Sequence, residues 1–158
     1  VISAVPLVHG IGALVGLKMV HVEGATGETE TNYEGKVRAA LDCLAAGDDF
    51  VCIHVEAPDE ATHNGKLDEK LLSIEYLDRR VLAPLVAGLR GQDFRLLLLS
   101  DHKTLMSTRT HDGDPVPFLI YDSTAPRSTG LPYTEAAGER GPAVARGTDL
   151  MGMLFRQT

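Results

Sequence analysis

Five side chains in one stretch of this sequence make up a metal-ligand set: Asp59 and His63, the adjacent Asp101 and His102, and His111. They stand in VEAPDEATH, LLLLSDH and RTHDGDPVPF. Carboxylate plus imidazole, without thiolate, is the donor set of Zn²⁺ or Mn²⁺ sites rather than of structural thiolate sites. The chemistry such a set performs is hydrolysis or phosphoryl transfer.

Each piece also has a plainer reading. Asp59 and His63 are four apart, so one helical turn puts both on one face. Pro58 favours a helix start, and Asp59 suits a first turn electrostatically. An isolated DxxxH is more often a solvated pair than a ligand pair; its place directly after a buried strand favours the ligand reading. Asp101 could simply cap the next segment with His102 in solvent, but a strand end presents a carboxylate rigidly. His111, on a loop before the turn signal DGDP, counts only in the company of the other four. His9 reads as a core or boundary histidine, and His21 and His54 as packing or supporting residues within strands. GATGETETN lacks the Lys and spacing of a Walker motif and reads as a turn and cap. Asp112 and Asp114 are either extra ligands or turn residues. Arg38 and Arg109 are candidate anion contacts whose default is the surface. There is no Gly-x-Ser-x-Gly elbow and no persuasive Cys/His pairing.

Alternating elements must position these residues. Residues 3–15 read as a buried, Gly-containing helix and KMVHVE (18–23) as a short strand. Asn32 is an N-cap for a helix over 33–46 with Val37, Ala40, Leu41 and Leu44 at helical spacing. FVCIHVE (50–56) is a β-branched run suited to a buried parallel strand. An amphipathic helix over 68–89 follows, with Leu71, Leu72, Ile74, Leu77, Val81, Leu82, Leu85 and Val86 on its apolar side and Pro84 imposing a kink or break. FRLLLLS (94–100) and VPFLIYD (116–122) are further strands, 123–147 is mostly loop, and GTDLMGMLF forms a last short helix capped by Thr148 or Asp149. The pattern predicts an α/β fold with a largely parallel sheet flanked by helices, whose ligands gather beyond the carboxyl ends of the strands.

The 158 residues are one domain or a large piece of one. With 44% hydrophobic and 23% charged residues, the chain can bury a core and is not disordered. A net charge of −7 argues against nucleic acid as a partner but not against an anionic substrate, because divalent metals reverse the sign locally. Cys43 and Cys52 are too few for a disulfide scaffold, which points to a reduced, cytoplasmic protein. No apolar run is long enough to span a membrane. The apolar start lacks a basic n-region and therefore does not read as a signal peptide. Opening on Val1 rather than Met suggests a fragment or a processed product.

Together, GATGETETNYEGK, HVEAPDEATHNG, LLLLSDH and RTHDGDPVPFLIY resemble the archaeal type of cofactor-independent phosphoglycerate mutase, in the alkaline-phosphatase-like metalloenzyme superfamily. The resemblance covers residues 1 to about 122. It implies a two-metal isomerase of glycolysis and gluconeogenesis that interconverts 2- and 3-phosphoglycerate. Asp59, His63 and His111 would hold one metal, usually Mn²⁺ and sometimes Zn²⁺, and Asp101 and His102 the second. In the family, a nucleophilic serine and a further aspartate complete the second site, and an inserted domain carries most substrate-gripping arginines. No serine here fits that context. The chain therefore resembles the C-terminal, metal-binding portion of an incomplete alkaline-phosphatase-like fold, inactive alone. Asp112 departs from the pattern, where an uncharged residue is more familiar. The rival readings are a phosphatase or phosphotransferase of the same superfamily acting on another phosphomonoester, and a non-catalytic remnant. Oligomeric state stays open.

Overall fold

The computed structural model describes residues 1–155. These form two compact units: Val1–Arg90 with Thr104–Thr110, and Gly91–Lys103 with the residues from His111 onward.

In the first unit Ile2 is the hinge of the extended structure. It is fully buried and bridges in parallel to both Val20 and Ile53. The Ile2 N–H donates to the Cys52 carbonyl at 2.8 Å, and the His54 N–H donates to the Ile2 carbonyl at 2.8 Å. Val22 and Ala40 complete the buried cluster around it. Parallel pairing is thus present, as isolated bridges rather than as the short strand predicted for 18–23 and the buried strand predicted for 50–56.

Helix α1 spans Pro6–Leu14 and helix α2 spans Tyr33–Ala45. The cap at Asn32 is as predicted: its Oδ1 accepts the Gly35 N–H at 2.8 Å. Tyr33 and Val37 of α2 pack with Val81 in a second buried cluster. Tyr33 also donates its hydroxyl to the Thr29 carbonyl at 2.9 Å. Arg80 lies 4.7 Å from the Tyr33 ring centroid and 4.8 Å from that of Tyr76, and forks onto Glu34 through bonds of 2.6 and 2.8 Å. The Arg80 hydrogen bonds hold the Glu34 carboxyl below its usual range. The pair is exposed, so its worth is about 1 kcal/mol or less; the rings and the buried apolar area contribute more.

The expectation of a buried α1 is corrected. Leu7, Ile11 and Leu14 are 70%, 55% and 88% exposed, and only Gly12 of this helix is buried. Gly12 packs against the Met19 side chain, whose terminal methyl would lie 2.6 Å from a Cβ at this position. An apolar face on a sequence says that a surface favours cover, not which element supplies it.

Helix α3 (Ala57–His63) and helix α4 (Leu67–Tyr76) follow. A wide π-helical turn over Leu77–Leu82 then leads into α5 (Ala83–Gly88), with Pro84 in its first turn. Pro84 has no N–H to offer the carbonyl one turn back, and the widened turn before it absorbs that loss. The predicted interruption is therefore real but begins seven residues before the proline. Leu77, Val81 and Leu85 pack inward, whereas Leu71, Leu72, Ile74 and Val86 of the predicted apolar side are exposed.

In the second unit β1 (Arg95–Leu99) pairs with β4 (Phe118–Asp122). The ladder is antiparallel, from Arg95 opposite Asp122 to Leu99 opposite Phe118. This corrects the largely parallel sheet. A continuous apolar run such as RLLLL fits either orientation, and no crossover helix joins these two strands to force a parallel one. The end pair is tied by Arg95 Nε to Asp122 Oδ2 at 2.8 Å, and Arg95 also donates to the Leu154 carbonyl in α7 (Asp149–Phe155) at 2.9 Å. In the chain between β1 and β4 lie the short strands β2 (Lys103–Leu105) and β3 (Thr110–Asp112). Within the predicted loop 123–147 lies one short helix, α6 (Glu135–Gly138). No helix among the described residues is long and apolar enough to cross a membrane.

Candidate metal centre

In the first unit the site starts where the extended segment at Ile53 gives way to α3. Pro58 opens the helix, and Asp59 and Glu60 occupy its first turn. The four-residue spacing does what the sequence indicated: Asp59 Oδ2 and His63 Nε2 are 3.2 Å apart.

Segment 104–110 holds both residues from the side. The Thr104 hydroxyl donates to Asp59 Oδ1. His63 Nδ1 lies 2.7 Å from the Arg109 carbonyl oxygen. A carbonyl only accepts, so Nδ1 carries a proton and Nε2 is the ring nitrogen turned toward Asp59. Nε2 faces a carboxylate oxygen at 3.2 Å. Two acceptors so placed repel unless a proton or a cation lies with them. A divalent metal satisfies the arrangement, and a ring N–H given to a backbone carbonyl is the usual support of a metal-binding histidine.

The carbonyl is aimed by an uncommon backbone. Arg109 has φ 57°, the one positive value at a non-glycine position among the described residues. Its N–H donates to the Leu105 carbonyl at 2.7 Å. Its guanidinium lies against Gly65, where a Cβ would stand 2.5 Å from Arg109 Cζ. Sequence reasoning treated Arg109 as a surface residue or an anion contact; its contribution here comes from the main chain. A positive φ at an arginine leaves no mark in sequence.

The field around α3 also suits a cation. Burial pushes the Glu56 carboxyl up, and the neighbouring carboxylates of Glu60 and Asp59 push it further in the same direction. Lys36 is fully buried on α2 and donates from Nζ to the His54 carbonyl at 3.2 Å. Burial lowers the Lys36 pKa, against the opposing pull of Glu56.

The second unit holds the other three candidates. Asp101 and His102 follow β1, and His111 lies within β3 rather than on a loop. Asp101 Oδ1 accepts the His102 N–H at 3.1 Å, and Asp101 Oδ2 is 3.3 Å from His102 Nε2. The rings of His102 and His111 stack with centroids 3.7 Å apart at 26°. A ligand nitrogen of each lies within 4.8 Å of one of the other. Asp101, His102 and His111 are thus gathered, with the Asp101 carboxylate 74% exposed. The Asp112 carboxylate accepts the Asp114 N–H at 2.8 Å, which assigns it to the turn.

Two further polar residues bear on function. Ser3 lies 3.1 Å from His54 Nδ1, a Ser–His contact that the sequence did not signal. The Ser3 oxygen also accepts the Val5 N–H at 3.0 Å, and the residue is only 4% exposed. It is a structural hydroxyl, not an accessible nucleophile. Thr104 is the other, missed because a threonine two residues after a histidine has no distinguishing pattern.

The chain matches the family described as the Metalloenzyme superfamily over residues 1–155. It is 43% identical over 160 residues to a 2,3-bisphosphoglycerate-independent phosphoglycerate mutase of Methanosarcina mazei, an alignment covering 99% of this chain and 40% of that protein. A protein of the same name from Methanothrix thermoacetophila is 45% identical over 158 residues, covering 98% and 40%. Among solved structures, the PH0037 protein of Pyrococcus horikoshii superposes with a TM-score of 0.87 at 30% identity, over 98% of this chain and 47% of that one. The chain spans about 40% of the length of these curated relatives.

Proposed function

Because this chain belongs to the Metalloenzyme superfamily, we propose that it is the C-terminal, metal-holding portion of a 2,3-bisphosphoglycerate-independent phosphoglycerate mutase. Asp59 and His63 are ligands, and Asp101, His102 and His111 are ligands. The metals are divalent, with Mn²⁺ the first choice and Zn²⁺ the alternative, since both accept carboxylate and imidazole donors. The substrate is a small phosphomonoester, 2- or 3-phosphoglycerate, and the setting is cytoplasmic glycolysis and gluconeogenesis.

The observation that carries this is the pairing of His63 Nε2 with Asp59 Oδ2 at 3.2 Å while His63 Nδ1 is committed to the Arg109 carbonyl. The names of relatives at 43% and 45% identity support the choice of reaction.

Bound divalent ions supply charge neutralisation to a phosphoryl group and help align its displacement. The residues of this chain do the rest of their part by position. Asp59 directs one carboxylate oxygen, and His63 one lone pair, into the same space. His102 and His111 keep their rings stacked, which limits the directions in which their nitrogens point. On this reading phosphoryl attack falls to a serine that this chain does not supply.

The test uses the full native reading frame with Mn²⁺ and 3-phosphoglycerate, following 2-phosphoglycerate and free phosphate together. Metal-dependent 2-phosphoglycerate with little phosphate supports the mutase. Phosphate alone replaces it with a phosphatase of the same superfamily, and no product of either kind removes phosphoglycerate as the substrate.

A further inference from the structure

We propose that Thr104 is a positioning residue that makes Asp59 a one-oxygen metal ligand and so tunes the site toward small divalent ions. The inference rests on the assignment of Asp59 and His63 as ligands. Asp59 has two carboxylate oxygens with distinct partners. Oδ1 accepts the Thr104 hydroxyl hydrogen, while Oδ2 faces His63 Nε2 at 3.2 Å. A carboxylate with one oxygen held by a hydroxyl offers the other alone.

Thr104 is itself held in place. Lys70 of α4 donates from Nζ to the Thr104 carbonyl at 2.8 Å, and the Lys70 carbonyl accepts the hydroxyl of Ser73, a fully buried residue. The same segment supplies the Arg109 carbonyl to His63. One short stretch, 104–109, therefore fixes the carboxylate of one ligand and the tautomer of the other. Its two contacts act on different atoms and set direction rather than charge.

Coordination chemistry gives this a consequence for selectivity. Ca²⁺ takes six to eight oxygens and readily uses both oxygens of a carboxylate, whereas Mn²⁺ takes about six ligands and Zn²⁺ about four. Freeing Oδ1 permits two-oxygen binding and removes the restraint that favours the smaller ion. Outer partners of this kind typically change metal affinity by about 10–100-fold.

The experiment measures Mn²⁺ and Ca²⁺ affinity by titration calorimetry on metal-stripped full chain, for the parent, Thr104→Val, Thr104→Ser and Asp59→Ala. Thr104→Val should weaken Mn²⁺ by roughly tenfold while leaving Ca²⁺ unchanged or tighter. Thr104→Ser, which keeps the hydroxyl, should restore Mn²⁺ binding to within about threefold of the parent, an outcome that general loss of packing does not produce. If Thr104→Val binds Mn²⁺ like the parent while Asp59→Ala does not, the positioning role is wrong and the ligand assignment stands. If Thr104→Ser fails as badly as Thr104→Val, or Mn²⁺ and Ca²⁺ weaken equally in Thr104→Val, the hydroxyl is not the cause. If Asp59→Ala also binds Mn²⁺ normally, both the inference and the assignment beneath it fail.

Discussion

Arg109 places its carbonyl oxygen 2.7 Å from His63 Nδ1, and it does so from a backbone at φ 57°. The left-handed region costs a side-chain-bearing residue about 1–2 kcal/mol. That cost accompanies a contact which places a proton on Nδ1 and turns Nε2 toward Asp59.

Arg109→Gly should keep this contact, since the acceptor is main-chain and glycine adopts positive φ freely. Mn²⁺ affinity is expected to stay within about twofold, well inside the loss typical of a removed outer partner. Arg109→Pro should abolish binding, because proline is fixed near φ −65° and lacks the N–H that bonds the Leu105 carbonyl. Calorimetric titration of the two variants separates main chain from guanidinium; a large loss in Arg109→Gly would assign the role to the side chain.

Asp59→Asn should move two quantities in opposite directions. The amide removes the charge that a metal needs, and Mn²⁺ affinity should fall at least roughly tenfold. Without metal, the amide N–H₂ can donate to His63 Nε2 in place of the acceptor that now faces it. That exchange is worth about 1 kcal/mol, or a few degrees in the metal-free melting temperature. A thermal melt in chelator that fell instead would show that the pair is held by a proton on Nε2.

What was legible in the sequence follows from range. The Asn32 cap, α2, the Asp59–His63 face and the strand at 95–99 are set by neighbours within a few residues, and each is found. The orientation of β1 against β4 depends on residues 19 to 27 positions apart, and LLLL reads alike in either sense. The cover of α1 is likewise non-local, and its exposed Leu14 shows how little periodicity says about a partner surface. At the site, the candidate ligands stood out because Asp and His carry chemistry wherever they occur. Thr104 and the Arg109 carbonyl did not, since a hydroxyl and a peptide group become informative only when an atom is seen to face them.

Tyr33 tests the packing that carries α2. It is fully buried, packs with Val37 and Val81, and meets Tyr76 edge-on at 5.6 Å. Tyr33→Phe leaves the ring and removes only the bond to the Thr29 carbonyl, an expected loss of about 1 kcal/mol. Tyr33→Ala empties the cluster and should cost about 3–5 kcal/mol. Urea titration of both distinguishes ring from hydroxyl; equal losses would mean that the hydrogen bond, not the burial, holds this helix.

Lys36 makes the pH prediction. Its Nζ is buried on α2 and the folded pKa is pushed below the ordinary lysine value of 10.5, first by burial. Between the depressed folded value and 10.5, the unfolded chain binds more protons at this site than the folded one. Stability from this group therefore rises with pH through that window and is lost as pH falls back through the folded value. Lys36→Met removes the titration while keeping an unbranched apolar stem in place. The free-energy difference between parent and Lys36→Met should accordingly shift in favour of the parent as pH is raised from neutral toward about 10, by about 1.4 kcal/mol for each pH unit fully inside the window. Chemical denaturation of both proteins at a series of pH values measures the difference directly. A parent that loses ground to Lys36→Met over the same range would show that the ammonium is stabilised in the fold, by Glu56 and the His54 carbonyl, more than burial opposes it.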